Sequence, residues 1–167
     1  MNAESKILIL ISEINKGISV LKKIFDFYNN YVTSEYQPAA KRMDQAIVIS
    51  DLFCSYYTCL ETIFLRISQF FENTLTEKKW HKDLLQKMAL RIEGIREAVV
   101  SDGTYIILVE LLKFRHFKRY YFELEYDWDK LDFIQKKFNQ ANEMVNKDLC
   151  EFLVFLENLE QQFQKPQ

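Results

Sequence analysis

The chain has few of the residues that form tight turns. Only three of its 167 residues are glycine and two are proline. Sandwiches and barrels join many short strands through turns that use these residues, so the composition argues against both classes. Disorder is excluded as well, because 49% of the residues are hydrophobic and 15% are aromatic. Helices are the remaining way to bury so apolar a chain, and the length is typical of one domain.

Residues that carry metal or redox chemistry are also scarce. The chain has two histidines, His81 and His116, and three cysteines without a Cys-x-x-Cys pair. This set lacks the ligands and the spacing of a zinc site, and glycine-rich phosphate loops are absent, so we predict no metal and no other cofactor. An odd number of cysteines fits a reducing cytosol, and we expect Cys54, Cys59 and Cys150 to be buried and inert.

Charge and hydropathy favour neither nucleic acid nor membrane for the chain as a whole. The formal net charge is -2, so a basic site must be local. Residues 1–6 lack the basic region of a signal peptide, and no stretch approaches the roughly 20 apolar residues that cross a bilayer. We therefore predict a cytoplasmic protein that does not bind a membrane.

Apolar residues recur at three- and four-residue steps through most of the chain, which is the spacing of one helical face. The first helix is predicted over residues 7–32, with a break at 33–37 because Pro38 suits the first turn of a new helix. The second is predicted over residues 38–73. Its middle, residues 47–71, is apolar nearly all round, as in the central helix of a bundle.

Three more helices complete the predicted fold. The third covers residues 80–92 after a candidate N-cap at Thr74 or Thr76, and the fourth covers residues 105–122 after a turn and cap at 101–104. Asp127 is the predicted N-cap of the last helix. Short connections make neighbouring helices antiparallel. The predicted fold is all-α, an up-and-down bundle of four to five long antiparallel helices in one domain spanning residues 1–167.

A basic segment at residues 113–121 is the strongest candidate for a site. It carries four cations and a histidine among aromatic residues, without a carboxylate: Lys113, Phe114, Arg115, His116, Phe117, Lys118, Arg119, Tyr120 and Tyr121. Guanidinium groups bind phosphate oxygens in pairs, and a histidine can transfer the proton in phosphodiester cleavage. We predict Arg115, His116 and Tyr120 as catalytic candidates, with Arg119, Lys118 and Lys113 as RNA-phosphate ligands.

Two features of this region leave alternatives open. Arg115 lies on the inward stripe that continues from Leu108 and Leu112, so it either serves a site or pairs with an acidic residue of the segment that follows, at 123, 125 or 127. Glu61 lies among apolar residues of the second helix, where an ionised carboxylate needs a partner. It either pairs with Arg66 or faces solvent, or it supports the site.

The chain also resembles a family at scattered positions between residues 57 and 131. The matching residues are Tyr57, Leu60, Glu61, Phe64, Arg66, Ile67, Trp80, His81, Leu84, Leu85, Met88, Leu111, Leu112, Phe114, Arg115, His116, Arg119, Glu123, Leu124, Asp127 and Trp128. This pattern looks like the HepT-like branch of the HEPN helical superfamily. The resemblance implies a metal-independent ribonuclease toxin that dimerises to place two motifs around one cleft. It also implies an antitoxin that is a small nucleotidyltransferase and adenylylates a tyrosine of the toxin.

The family motif is an Arg, four to six residues, a His, any residue and a Tyr. Counted from Arg115 with the shortest gap, the His position holds Tyr120 and the Tyr position holds Phe122, and longer gaps restore neither residue. Tyr121 and Tyr120 offer hydroxyls for modification near the expected place. His116 lies one residue after Arg115, and it either substitutes for the motif His or packs locally.

The resemblance therefore implies two functions. The first is a HepT-like toxin component of a toxin–antitoxin pair, an RNA endonuclease that uses the basic segment at a dimer cleft, with RNA, a nucleotidyltransferase antitoxin and a second copy as partners. The alternative is a catalytically inactive HepT-like module that binds RNA or a nucleotidyltransferase. A helical interaction protein that shares only the architecture is the third interpretation.

Overall fold

A computed structural model describes residues 3–72, 80–120 and 126–164, and within these ranges the chain forms five α-helices and no strand. The helices are α1 Ala3–Ser34, α2 Met43–Phe71, α3 Trp80–Met88, α4 Asp102–Tyr120 and α5 Trp128–Gln164. A 3-10 turn, Pro38–Ala40, precedes α2. The predicted all-α class and helical bundle are confirmed.

The helix α2 lies at the centre of the bundle and contacts the other four helices. Its partner α1 runs antiparallel to it, since Glu13 pairs with Arg66 while the Cys59 thiol contacts the Gly17 carbonyl nearer the middle of α1. A side chain at Gly17 would bring Cβ within 2.5 Å of the Ile63 side chain, so glycine allows this close approach. The predicted antiparallel packing of α1 and α2 is confirmed.

Aromatic side chains fill the space where α1, α2 and α5 meet. The Phe138 ring of α5 lies 4.9 Å from Tyr28 of α1, 4.5 Å from Phe53 and 5.0 Å from Tyr56 of α2, measured between ring centroids. All four rings are buried, and large buried rings contribute most of the apolar area of a core. The apolar residues that recur at helical spacing on these helices therefore face the core at this level of the bundle.

The predicted start of the second helix is wrong by five residues. The 3-10 turn begins at Pro38, but Lys41 then adopts a left-handed conformation with φ of 44°, and α2 begins only at Met43. A non-glycine residue with positive φ cannot continue a right-handed helix, so the turn and α2 are separate elements. The predicted caps Thr74 and Thr76 lie outside the described residues.

The third helix also ends earlier than predicted, at Met88 rather than residue 92. The carbonyl of Met88 accepts hydrogen bonds from the backbone N–H groups of Val99 (2.8 Å) and Val100 (3.2 Å), so the chain loops back onto the helix end. Gly94, with φ of 73°, lies in a tight turn closed by the Ile92–Arg96 bridge. Glycine takes this left-handed conformation without steric cost, which permits the turn.

Arg96 holds this loop to the end of α2. Its side chain is fully buried, and its guanidinium donates to Glu72 through Nε (3.2 Å) and Nη2 (2.6 Å). The remaining hydrogen bonds go to the backbone carbonyls of Lys87, Leu90 and Glu97. Every nitrogen of the guanidinium donates a hydrogen bond within the chain, so the role of Arg96 is structural.

N-caps explain where α4 and α5 begin. The Thr104 backbone N–H donates to Ser101 Oγ, so α4 starts at Asp102, three residues before the predicted start. At α5, the Lys130 backbone N–H donates to Asp127 Oδ1 at 3.1 Å, which confirms the predicted N-cap. The predicted end of the fourth helix at residue 122 lies outside the described residues.

Two expectations on burial and hydropathy need correction. Cys150 is exposed and Cys54 and Cys59 are half-buried, so the expected full burial of the cysteines is wrong. Among the described residues, α2 is the one helix long and apolar enough to cross a bilayer by length and composition. Half of its apolar window is buried within the bundle, as in the core helix of a soluble protein, so this evidence for a membrane span is weak.

Candidate functional site

Residues 113–120 of the basic segment form the C-terminal part of α4, where the helix packs across α2. Phe114 is buried and meets Phe53 of α2 at 6.0 Å between ring centroids. Leu111 and Leu112, one turn earlier, are buried as predicted. This anchored turn sets the position of Arg115, which follows directly on the side that faces α2.

Arg115 pairs with Glu61 of α2. Its Nη1 lies 2.8 Å from Glu61 Oε2, and the side chains are 21% and 6% exposed. Tyr57, one turn earlier on α2, places its ring 5.7 Å from the guanidinium carbon. A carboxylate, an aromatic ring and an arginine thus meet at one edge of the α2–α4 contact. The pair resolves the question of how a carboxylate is accommodated in the apolar α2 helix.

The predicted partners of Glu61 and Arg115 that lie among the described residues are not the ones found. Arg66 contacts Glu13 of α1 at 3.7 Å, on another side of α2, so the expected Glu61–Arg66 pair is wrong. Asp127 caps α5 rather than pairing with Arg115, and the acidic residues at 123 and 125 lie outside the described residues. The sequence could not decide this, because Glu61 and Arg115 are far apart along the chain.

The two described lysines of the basic segment form weaker contacts at the surface. Lys118 Nζ lies 3.0 Å from Asp51 Oδ1, and this carboxylate is 73% exposed. Lys113 Nζ lies 2.8 Å from Glu110 Oε1 one turn away on the same helix, and Lys113 is 67% exposed. Exposed pairs of this kind contribute little to stability, so both ammonium groups can exchange these carboxylates for another anion.

The other predicted site residues are less closely grouped. His116 is exposed and follows Arg115 by one residue, which turns it about 100° around the helix, away from the contact with Glu61. Arg119 and Tyr120 belong to the last turn of α4, and Tyr121 lies outside the described residues. The structure therefore brings Arg115 together with Glu61, but not with His116.

Three residues of α2 near the basic segment were not predicted as neighbours of it. Asp51, Cys54 and Tyr57 follow each other at three-residue steps and share the face of α2 that Glu61 continues. Burial raises the pKa of the Cys54 thiol to about 11, against the opposing effect of Lys118. Burial and the charge of Glu61 raise the pKa of Tyr57, so both groups stay protonated at neutral pH. Neither is an ionised nucleophile. In the described ranges, no three carboxylate, imidazole or thiol groups converge as metal ligands would.

Comparison with known proteins gives the family of this chain. No curated protein and no solved structure gives a significant match to the chain. The model of a family described as HepT-like protein matches residues 48–156, about two thirds of the chain, and includes α3, α4 and most of α2 and α5. The match contains both Glu61 and Arg115. The chain therefore belongs to the HepT-like protein family, a HEPN-type group whose members are generally parts of toxin–antitoxin systems.

Proposed function

We propose that this chain is the toxin component of a HepT-like toxin–antitoxin pair and cleaves RNA without a metal ion at the basic segment of α4. The observation that carries the proposal is the Arg115–Glu61 pair. The guanidinium is held by a buried carboxylate 2.8 Å away, yet its side chain remains 21% exposed. Arginine fixed at a surface with donors still facing solvent is suited to bind the two oxygens of a phosphate.

RNA carries its own nucleophile, the ribose 2′-OH, so the protein must supply a phosphate clamp and a proton acceptor. Arg115 binds the phosphate and stabilises the negative charge that grows on it. The 2′-oxygen attacks phosphorus while a base takes its proton. The bond from phosphorus to the 5′-oxygen breaks, the departing oxygen takes a proton from water, and the products are a 2′,3′-cyclic phosphate and a 5′-hydroxyl. His116 is the better base, because the reference pKa of imidazole is about 6.5 whereas that of a tyrosine such as Tyr120 is about 10.

The site is completed by a second copy of the chain. Arg115 and His116 point about 100° apart on α4, so one copy does not direct both at the same phosphate. A homodimer that apposes two α4 helices would place the His116 of one copy near the Arg115 of the other. Lys113, Lys118 and Arg119 then extend the positive surface along the bound strand, and the antitoxin is a nucleotidyltransferase that modifies Tyr120 or Tyr121.

Incubation of the purified protein with total RNA and tRNA in EDTA tests the proposal. We expect cleavage by the wild type, and we expect Arg115→Ala to lower the rate by about 100-fold or more, as losing a transition-state donor does. His116→Ala should lose cleavage as well. Arg66→Ala is the matched control, since this arginine is also paired but lies by α1.

Intact RNA after incubation with folded wild-type protein would contradict the endonuclease. Two observations favour a second candidate in that case, a module that binds RNA or a nucleotidyltransferase without cleaving. Tyr120 and Phe122 occupy the positions of the motif His and Tyr. The charge of Arg115 is also already matched by Glu61. Under this second proposal Arg115→Ala weakens association and changes no rate.

A further inference from the structure

Two exposed aromatic rings and two lysines alternate on the outer surface where α4 meets α5. Phe117 of α4 is 39% exposed and Phe133 of α5 is 45% exposed. Lys130 Nζ lies 4.1 Å from the centroid of the Phe117 ring, and Lys137 Nζ lies 5.5 Å from that of Phe133. We call Phe117, Lys130, Phe133 and Lys137 the aromatic–lysine stripe.

The register of the helices makes this a continuous surface. Lys130, Phe133 and Lys137 are separated by three and four residues, so they lie on one face of α5. Phe117 joins them from α4 through its contact with Lys130. The order along the surface is therefore ring, ammonium, ring, ammonium.

We propose that the aromatic–lysine stripe binds single-stranded RNA, with unpaired bases stacked on Phe117 and Phe133 and phosphates on Lys130 and Lys137. The inference rests on the proposed function, because it names the class of RNA that the same protein acts on. Single strands are bound by this combination of rings for bases and cations for the backbone, whereas a duplex keeps its bases stacked inside.

An RNA base that stacks on Phe117 or Phe133 would displace the lysine ammonium group that now lies over that ring. A cation–π contact at an exposed site is weaker than the stacking of a base on an aromatic side chain. The base therefore takes the ring, and the released ammonium is free to meet a phosphate. Asp129 and Asp132 lie nearby on α5 and weaken the positive field. Stacking accordingly provides most of the affinity.

The stripe and Arg115 lie on opposite sides of the same end of α4. Phe117 follows Arg115 by two residues, which is about 200° around the helix, and both lie within the last six residues of α4. A helix with its side chains is about 10–12 Å wide. The path around half of such a helix is about 16–19 Å, which about five nucleotides at about 3.4 Å each span, so one strand can stack on the stripe and also present a phosphate to Arg115.

Binding of a single-stranded oligoribonucleotide that contains 2-aminopurine tests the stripe, since the fluorescence of this base falls when it stacks. With the full-length protein we expect quenching by the wild type and little by a duplex of the same sequence. The double variant Phe117→Leu/Phe133→Leu should bind at least about tenfold more weakly and quench little. Leucine keeps the apolar bulk, and circular dichroism confirms the fold.

Phe27→Leu is the matched control, because Phe27 is 58% exposed on α1, away from the stripe. It should bind and quench like the wild type. Equal binding by the double variant and the wild type would overturn the inference, as would equal binding of duplex and single strand. Retained RNA binding with loss of an acidic protein partner would assign the stripe to protein recognition and overturn it too.

The outcomes separate this inference from the proposed function. If the double variant still cleaves RNA in EDTA and binds it with unchanged affinity, the stripe does not bind RNA. The proposed endonuclease would then stand without it. Stacking on the stripe without any cleavage supports the stripe and selects the binding module. A wild type that neither binds nor cuts RNA contradicts both.

Discussion

Two arginines of this bundle pair with carboxylates on α2 or at its C-terminal end, but in opposite ways. Arg96 is fully buried, and all of its nitrogens donate to Glu72 or to backbone carbonyls. Arg115 is 21% exposed, and among the described residues its one hydrogen bond is from Nη1 to Glu61. Both pairs join an apolar helix to a neighbouring element, yet only the second leaves donors for another molecule.

The difference shows how to separate a structural arginine from a candidate ligand. A guanidinium whose donors are all used by its own chain cannot bind a phosphate without breaking the fold. One that is oriented by a single carboxylate can accept a second anion at little cost. The contrast therefore predicts that substitutions of Glu72 and Arg96 mainly lower stability. Substitutions of Glu61 and Arg115 should mainly change RNA binding and cleavage.

The largest expected effect comes from removing the charge of each carboxylate. Glu72→Gln leaves Arg96 buried without a counterion and should lower the free energy of unfolding by about 3 kcal/mol. Glu61→Gln keeps an acceptor for a guanidinium that water also reaches, so the loss should be about 1 kcal/mol. Urea unfolding followed by circular dichroism measures both. Equal losses would break the comparison.

A smaller effect is expected when pH is lowered. Burial alone would raise the pKa of Glu72, but the hydrogen bonds from Arg96 and Lys87 outweigh it and lower that pKa below its usual value. A lowered folded-state pKa stabilises fully above the unfolded value of about 4.3, and this contribution is lost as pH falls through the folded-state pKa. The stability difference between wild type and Glu72→Gln should shrink as pH drops below about 4.

Urea midpoints of both proteins at pH 7, 5, 4 and 3 check this prediction. The wild type should lose stability faster than the variant over the lower part of the range. Parallel curves for the two proteins would show that the Glu72 carboxylate does not stabilise the loop as an ion.

The smallest effect is expected at the exposed edge of the Arg115 region. Asp51 is 73% exposed where it meets Lys118, so Asp51→Asn should change the free energy of unfolding by less than about 0.5 kcal/mol. The variant also leaves Lys118 without this carboxylate, so RNA binding should tighten slightly and become more salt-dependent. Anisotropy titrations at several salt concentrations measure this. Weaker RNA binding by Asp51→Asn would place Lys118 outside the RNA surface.

Short-range sequence patterns were enough to predict most of the helices. Apolar stripes at three- and four-residue steps located α1 and α5, and Asp127 was recognised as a cap because a short acceptor side chain precedes an apolar run. The predicted helix boundaries were wrong where the backbone conformation, rather than hydropathy, determines them. The positive φ of Lys41 separates the 3-10 turn from α2, and α3 ends at Met88 before the turn around Gly94, whereas the sequence predicted a continuous helix in both places.

The candidate site was predictable only in part. Arg115 stood out because it lies on an inward stripe, and Glu61 because a carboxylate within an apolar helix needs a partner. Their pairing depends on how α4 crosses α2, which no local pattern encodes. Arg96 had no signal at all, since one arginine between Ile95 and Glu97 in a short loop resembles any surface residue.

By itself the sequence determined the all-α class, the central place of α2, the basic segment and the resemblance to the HepT-like family, because each depends on residue types and on their spacing along the chain. The tertiary structure alone decided that the hydrogen-bond donors of Arg96 are all satisfied within the fold while Arg115 keeps donors for a ligand. It also brought Phe117 next to Lys130. Burial and pairing depend on contacts between helices, and such contacts exist only once the chain has packed.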